Sequence, residues 1–507
     1  MQAKITYNRY GWHDPEGRFF VLKEELERHG GLESYIRKVE NEEIPVEPLV
    51  IRANAGDCIE LHTTNLLPEF LEANAFQLRT MTDIVGHHVH LVKFDTIVAD
   101  GAANGWNNIA GARKYETLIE RFFADEELRT VFFHDHLFAN SHQQHGMFGA
   151  IIIEEAGATF HNIRDGKELR FGTKAVIRRR DGTSFREFAL FVHDFALLFD
   201  KEGKPLDEPH TPSQRVSLNP QFLRYDPVQD SGINVGYNCR EQTVGIGERK
   251  RYLWYADQEY GACILQSFGD MRNHRYHGLF GAVIVEPAGA AWYRNFTKKI
   301  DPFAEQAVIT APGVESFCEY AAFIQNGIRL LDAQANLIQT AAAESGEPVD
   351  AEDTGEKGYN YHSERFANRL KKDPRVWKVF SSKIHGDPST PIWKAYSGDR
   401  VIFRTMMPAD KPRNVSFALH GHLWKEQPRD AFSREIPLQG AVSIGNRFDM
   451  EPKGGAGCPG DYLYRSGSFG WDVESGMWGI FRVMKRSVGS RCKGFCGKLL
   501  GCMRCKK

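Results

Sequence analysis

The sequence lacks the features that would place it in a membrane or on nucleic acid. No run of apolar residues approaches the roughly 18 that a membrane helix needs, so we expect no transmembrane segment. The net charge is only −2, which gives no reason to expect nucleic-acid binding. The N-terminus has no apolar stretch of the kind found in secretory signals, so we expect no Sec export and take the cytoplasm as the default location.

The cysteines do not form a pattern typical of a disulfide-bonded protein. Nine are present, an odd number, and without a secretory signal this argues against a disulfide framework. Between Lys485 and Lys507 the chain has eight Lys or Arg and no acid. This tail contains four of the cysteines: Cys492, Cys496, Cys502 and Cys505. Four thiolates suit zinc or Cu(I), but the spacing is not that of a standard zinc ribbon, so metal binding and an unstructured basic tail both stay open.

Short apolar runs with alternating residues, separated by Gly, Pro and Asn turns, predict an all-β protein. One sequence motif consists of two predicted strands around a Gly-Asp pair. It occurs at 47–65 and again at 391–405, and it has the pattern of a hairpin. A second motif ends in Gly-(Met/Leu)-(Phe/Trp)-Gly followed by a β-branched strand, and it occurs at 142–154, 274–286 and 474–483. These repeats predict three β-sandwiches in series. The predicted boundaries are an N-terminal arm at 1–43, domains at 44–157, 158–295 and 296–485, and the basic tail at 486–507.

Three His-x-His pairs lie beside the predicted strands. Alternate residues of a strand share a face, so the two histidines of each pair point the same way. One such pair is more often structural than functional, but three are hard to explain without a metal. Imidazole ligands without a thiolate sphere suit copper, zinc, iron or nickel. The candidate ligands are His88, His90, His134, His136, His420 and His422.

Residues 44–485 resemble the three-domain multicopper oxidases, the laccase-like family built from cupredoxin domains. The most specific part is Phe133-His134-Asp135-His136 with the Gly-Met-Phe-Gly strand that follows it, which is similar to a segment of bacterial laccases, including the spore-coat type. The resemblance implies three cupredoxin-like Greek-key domains and a copper cluster between the first and third, which would reduce dioxygen to water. By this resemblance, the type 2 copper would be held by His88 and His420. The type 3 pair would be held by His90, His134, His136 and His422.

The chain departs from the family after the first His-x-His pair and at the type 1 copper site. Leu91 follows the first pair where the family usually has Gly, and Phe417 stands where a type 1 His is usual. Residues 464–471 contain neither Cys nor His where the family has His-Cys-His-x-x-x-His. We therefore expect two or three copper ions, in a type 2/type 3 cluster, without the type 1 centre through which electrons enter. The reserve ligands, for which a polar loop at the end of a sandwich is the favoured explanation, are His142, His145, His274 and His277.

The leading hypothesis is a copper-binding oxidoreductase of this type that couples oxidation of an unknown reductant to dioxygen reduction, with the six histidines at its catalytic centre. One alternative is a copper-binding or copper-buffering protein without turnover. Another is an oxidase subunit that needs a partner chain to supply the type 1 copper. A homo-oligomer is also compatible with the sequence. Spore-coat deposition or export by a non-Sec route would be compatible with the same sequence.

Overall fold

A computed structural model describes residues 1–69, 71, 83–106, 108–193, 198–206, 211–271, 273–297, 299–328, 330–338, 356–410 and 414–486. The predicted cysteine tail therefore lies outside the described residues. The chain divides into two compact units, Met1–Pro209 and His210–Lys507. Strands predominate in both, which confirms the predicted all-β class. The three-domain boundaries stay a prediction. In the part of the chain that the structure describes, no helix is long and apolar enough to cross a membrane.

Within its described residues, the first unit consists of short strands and three helices. Its strands are β1 (Ile5–Thr6), β2 (His13–Asp14), β3 (Leu49–Asn54), β4 (Cys58–Thr64), β5 (His88–Val89), β6 (Thr117–Phe123), β7 (Arg129–His134), β8 (Phe148–Glu154), β9 (Thr159–His161), β10 (Lys174–Arg178) and β11 (Ser184–Phe188). Its helices are α1 (Lys23–Arg28), α2 (Leu32–Glu40) and α3 (Ala139–His142). The main sheet has the order β3-β8-β7-β5, with β4-β6, β9-β10-β11 and β1-β2 as smaller sheets.

The core of this unit lies beneath the main sheet. Val89 of β5, Val131 and Phe133 of β7, and Ile151 of β8 are fully buried and pack with Phe122 of β6. Their β-branched and aromatic side chains suit a half-buried pleated surface, which explains why these segments form strands. The N-terminal arm adds a separate cluster of Met1, Phe19, Tyr35 and Val39.

The second unit contains the remaining strands. They are β12 (Asn219–Pro220), β13 (Arg224–Tyr225), β14 (Trp254–Tyr255), β15 (Gly261–Gln266), β16 (Phe280–Val285), β17 (Ala291–Arg294), β18 (Gln306–Ala311), β19 (Val314–Ile328), β20 (Glu356–Tyr359), β21 (Ile392–Tyr396), β22 (Arg400–Asp410), β23 (Val415–Leu419), β24 (Trp424–Lys425), β25 (Glu435–Ile436), β26 (Leu438–Val442), β27 (Arg447–Met450), β28 (Gly460–Arg465) and β29 (Trp478–Met484). Its helical segments are α4 (Asn273–Tyr276), α5 (Phe366–Leu370), α6 (Ser382–His385), a 3-10 turn (Val376–Lys378) and a π-helical turn (Phe469–Val473).

Two larger sheets enclose the main core of the second unit. One has the order β17-β18-β19-β22-β27 with β20 on β19, and the other has the order β21-β29-β28-β23-β26. Smaller sheets are β12-β15-β16, β13-β14 and β24-β25. The core between the large sheets is aromatic, and Tyr320, Trp393, Phe403, Phe417 and Tyr464 are all fully buried within it.

The internal repeat predicted from Gly-(Met/Leu)-(Phe/Trp)-Gly is visible in the structure. In each copy the strand after this motif, β8, β16 or β29, pairs antiparallel with a strand that precedes it, β7, β15 or β28. A helical turn precedes the motif in all three. The same motif therefore has the same local structure, a helical turn followed by a strand in an antiparallel pair, in all three places.

The prediction of a hairpin around each Gly-Asp pair is wrong. Gly56 and Gly398 have φ of 95° and 82°, as a turn at glycine allows, so the chain does reverse there. However, β3 pairs with β8 whereas β4 pairs with β6, and β21 pairs with β29 whereas β22 pairs with β19 and β27. The turn passes the chain from one sheet to another instead of joining two paired strands.

Candidate metal centre

Two of the predicted His-x-His pairs lie side by side on the main sheet of the first unit. β5 runs antiparallel to β7, with His88 opposite His134 and Val89 opposite Phe133. Val89 and Phe133 point into the core and are fully buried. Because side chains alternate along a strand, the histidines project from the other face. The apolar residue of each strand thus fixes the face on which its histidines appear.

The four imidazoles of these pairs form one cluster. The ring centroids of His88 and His136 are 4.3 Å apart, and those of His90 and His134 are 5.1 Å apart. His88 lies 5.4 Å from His134. Ligand atoms of His88, His90 and His134 lie within 4.8 Å of one another, as do those of His88, Asp100 and His136. Either group is compact enough to hold a metal ion.

The geometry at His90 and His134 suits two ligands of one ion. Their Nε2 atoms are 3.0 Å apart. Metal–imidazole bonds of about 2.0–2.1 Å that meet at roughly a right angle would separate two nitrogens by about 2.9 Å. The same separation also allows one ring to donate its N–H to the lone pair of the other. This separation suits neighbouring nitrogen ligands of a square-planar or tetragonal ion such as divalent copper.

Asp100 holds His88 in the orientation that a ligand needs. The Nδ1 of His88 lies 2.9 Å from the backbone carbonyl of Asp100 and 3.2 Å from its carboxylate. A proton on Nδ1 satisfies these acceptors and leaves the Nε2 lone pair available for an ion. Such an acceptor behind a ligand histidine fixes its tautomer and raises its basicity.

The surroundings of His90 and His134 favour neutral imidazoles. Burial lowers the pKa of both His90 and His134, and positive charge on the neighbouring rings would lower it further. A neutral imidazole has the lone pair that a metal requires. His87, next to the first pair, is not part of the cluster. It is packed between Phe20 and Phe133, and burial lowers its pKa to about 3.

Asp135 links the two strands that carry the histidines. It is fully buried, and its carboxylate accepts hydrogen bonds from the backbone N–H groups of Gly86 and Phe138, each at 2.9 Å. Gly86 precedes the first pair, while Phe138 follows the second. A third contact, at 3.0 Å, joins Asp135 to Nδ1 of His142. Asp135 thus ties the two His-x-His segments together from the side opposite their ligand face.

Three of the four reserve histidines, His142, His145 and His274, have side-chain partners in the protein. His145 is buried, and its Nδ1 lies 2.7 Å from the carboxylate of Asp14 in the N-terminal arm. Arg18 of the same arm is fully buried and donates to Ser141 Oγ at 2.7 Å. In the second unit, Nδ1 of His274 lies 2.9 Å from the hydroxyl of Ser267. The arm therefore packs against the loop that follows the second His-x-His pair.

The third pair lies in the second unit, where both histidines contact protein groups. Arg465 donates from Nε to Nε2 of His420 at 2.9 Å. The two ring nitrogens of His422 lie 3.0 Å from the carbonyl of His420 and 3.1 Å from that of Ala456. Ligation by His420 and His422 stays a prediction from the sequence.

Core residues stand at the positions where the resemblance expects type 1 copper ligands. Phe417 and Tyr464 are fully buried, and the ring of Tyr464 stacks on Trp393 at 4.0 Å. Two further cysteines of this unit, Cys263 and Cys318, are buried, and burial raises the pKa of both thiols. A raised pKa disfavours the thiolate that a copper ligand must supply.

Glu120 was not identified from the sequence. It is almost fully buried in β6, neither carboxylate oxygen has a hydrogen-bond partner among the described residues, and burial next to Asp100 raises its pKa to about 8. The alternation of β6 gives the signal that could have found it. Leu118, Glu120 and Phe122 share the inward face, so a carboxyl group stands in an otherwise apolar row.

Comparisons with known proteins give only distant structural similarities. No family model matches it, and the search of curated proteins gives no match. Among solved structures it is similar to a multicopper oxidase crystal structure at 12% identity, over 85% of this chain and 76% of the other, with a TM-score of 0.20. It is also similar to the multicopper oxidase mgLAC at 11% identity, over 88% of this chain and 79% of the other, again with a TM-score of 0.20. Likeness at this level carries no argument, so the case for function depends on the chain's own residues.

Proposed function

We propose that this chain is a copper-binding, multicopper-oxidase-like oxidoreductase whose metal centre is built on His88, His90, His134 and His136. The observation that carries the proposal is the pair of Nε2 atoms of His90 and His134, 3.0 Å apart within a cluster of four imidazoles. An imidazole set of this kind suits copper, and divalent copper binds such donors more tightly than the other first-row metals do.

The residues around the cluster support the proposal. Asp100 orients His88, and Asp135 holds the two histidine segments in register. Neutral rings at His90 and His134 are ready to donate lone pairs near neutral pH. His136 is exposed, so an ion held here would keep access to solvent and to a small molecule such as dioxygen.

Bound copper would supply the redox chemistry, transferring electrons from a reductant to dioxygen. The part played by the protein is to hold the ligands, keep them neutral and leave one side open. The reductant is unassigned. Because core residues stand where type 1 ligands are expected, we propose a centre without the type 1 copper.

The test is metal content per chain after copper loading, followed by absorption and electron paramagnetic resonance spectra and oxygen uptake with a reductant. We expect tightly bound copper, no intense blue absorption, and slow oxygen uptake that depends on the metal. Bound copper with no oxygen uptake would favour the alternative of a copper-buffering protein. Co-purification with a second cupredoxin chain would favour an oxidase subunit. A chain that binds no copper would overturn the proposal.

A further inference from the structure

The third His-x-His pair differs from the other two in what its nitrogens contact. β23 ends at Leu419, directly before His420, and it pairs with β28, in which Arg465 lies opposite Ala418. This register brings the guanidinium to the imidazole, and Arg465 donates from Nε to Nε2 of His420 at 2.9 Å. In the first unit, by contrast, the Nε2 atoms of His90 and His134 face each other.

Arg465 is fixed in place by two further contacts. Its Nη1 donates to the carbonyl of Ser466 at 2.7 Å, and its guanidinium lies over the ring of Phe469, 4.7 Å from the centroid. A guanidinium stays charged and has hydrogen-bond donors only. Its N–H therefore binds the lone pair on Nε2 of His420 and places a positive charge beside it. A copper ion at that nitrogen would have to displace Arg465 and would then meet its positive charge.

His422 is held by backbone acceptors on both sides. It is 6% exposed, and its Nδ1 and Nε2 lie 3.0 Å and 3.1 Å from the carbonyls of His420 and Ala456. The ring of Tyr462 packs edge-on against it at 4.7 Å. A neutral ring keeps a lone pair on one nitrogen, but at His422 a backbone carbonyl oxygen lies about 3 Å from each nitrogen, so an ion at either one would have to displace that oxygen.

We infer that His420 and His422 are not copper ligands, because Arg465 takes the place of a metal cation at His420 and backbone carbonyls hold His422. This inference rests on the proposed function, since it assigns the copper of the chain to the four histidines of the first unit. Arg465 is thereby a specificity-determining residue: it keeps a His-x-His pair free of metal in a chain that binds copper elsewhere.

Copper per chain, measured after loading and removal of excess metal, tests the inference. The variants are His420→Gln and His422→Gln, each made singly, with His90→Gln/His134→Gln as the matched double variant in the first unit. We expect both single variants to retain the copper content of the unaltered chain and the double variant to lose most of it. Circular dichroism of each variant checks that the fold persists.

The inference is overturned if a folded His420→Gln or His422→Gln chain loses a copper ion. If the unaltered chain binds no copper, the proposed function fails instead. The inference is then decided by nitrogen–nitrogen coupling across the Arg465–His420 hydrogen bond in 15N-labelled, metal-free chain. A measurable coupling that disappears in Arg465→Lys would show that this guanidinium holds the His420 lone pair, and its absence in the unaltered chain would reject it.

Discussion

His90 and His134 belong to different segments of the chain, yet their Nε2 atoms lie 3.0 Å apart. The pairing of β5 with β7 sets this distance, because Phe132 accepts a hydrogen bond from the backbone N–H of His90 at 3.0 Å and so extends the ladder past Val89. Two imidazoles this close need a proton or a metal ion between them. The sheet therefore holds the two ligand nitrogens close together before any ion binds, so binding an ion does not have to order them.

Replacing His134 with Gln removes one of these two donors while keeping an uncharged side chain of similar reach. We expect copper affinity to fall by more than the roughly 10- to 100-fold that loss of a supporting residue costs. Competition with a chelator of known affinity measures the change. His161→Gln is the matched control, because His161 is bound to Gly166 and Thr159 in another sheet of the same unit. Equal losses in both variants would contradict a specific role for His134.

Asp100 should tune the affinity of the site without being required for it. Asp100→Ala removes the carboxylate 3.2 Å from Nδ1 of His88 but leaves the backbone carbonyl at 2.9 Å. Because one acceptor stays, we expect a loss near the lower end of the range for such supporting residues, about tenfold. Chelator competition again gives the value, with Asp165→Ala on an exposed turn as the control. An unchanged affinity would mean that the carbonyl alone orients His88.

The sequence was sufficient to predict the face of the sheet on which these histidines lie. Alternation along Thr130–His136 predicted that His134 and His136 share one side, and the contacts of Asp135 on the opposite side agree with this. Such a prediction needs only local geometry. Which strand lies next to β7 is a matter of register between distant segments, and the sequence alone did not specify it.

Non-local pairing also explains the error at the Gly-Asp turns. The pattern around Gly56 shows that the chain reverses, but β3 finds its partner in β8, about a hundred residues later, where Ile51 lies opposite Ile151. Similarly, nothing in the motif His420-Gly421-His422 reveals Arg465, which arrives from β28. Residue types thus predict which side chains a strand presents, whereas the neighbouring strand determines what those side chains contact.

Asp135 should matter for stability as well as for the site. Asp135→Ala leaves the buried N–H groups of Gly86 and Phe138 without their acceptor and removes the partner of His142. We expect the free energy of unfolding to fall by about 3–5 kcal/mol. Denaturant unfolding of the metal-free chain measures the loss. Asp135→Asn keeps one acceptor oxygen and should lose less.

The control for Asp135 is Asp181→Ala, since Asp181 accepts from Thr183 in an exposed turn. We expect this variant to change stability by about 0.5 kcal/mol or less. If Asp135→Ala were no worse than Asp181→Ala, the buried carboxylate would not be holding the two segments together.

Glu120 should make stability depend on pH. In the folded chain burial raises the pKa of Glu120 to about 8 from an ordinary value of 4.5, so folding favours the protonated carboxyl. Its contribution is fully present below about pH 4.5 and is lost as pH rises through about 8. Each pKa unit corresponds to about 1.4 kcal/mol, so the whole shift is worth on the order of 5 kcal/mol.

Glu120→Gln isolates this contribution, because an amide has nearly the same shape as a carboxyl group and cannot ionise. We expect the variant to match the unaltered chain near pH 5 and to be more stable than it near pH 9, with unfolding by denaturant measured at both values. All other titrating groups are common to the two chains, so their effects cancel in the comparison. Glu126→Gln, at an exposed position, should show no such divergence. If the stability difference were the same at both pH values, the buried carboxyl would be ionised in the fold, and a partner or an ion would have to neutralise it.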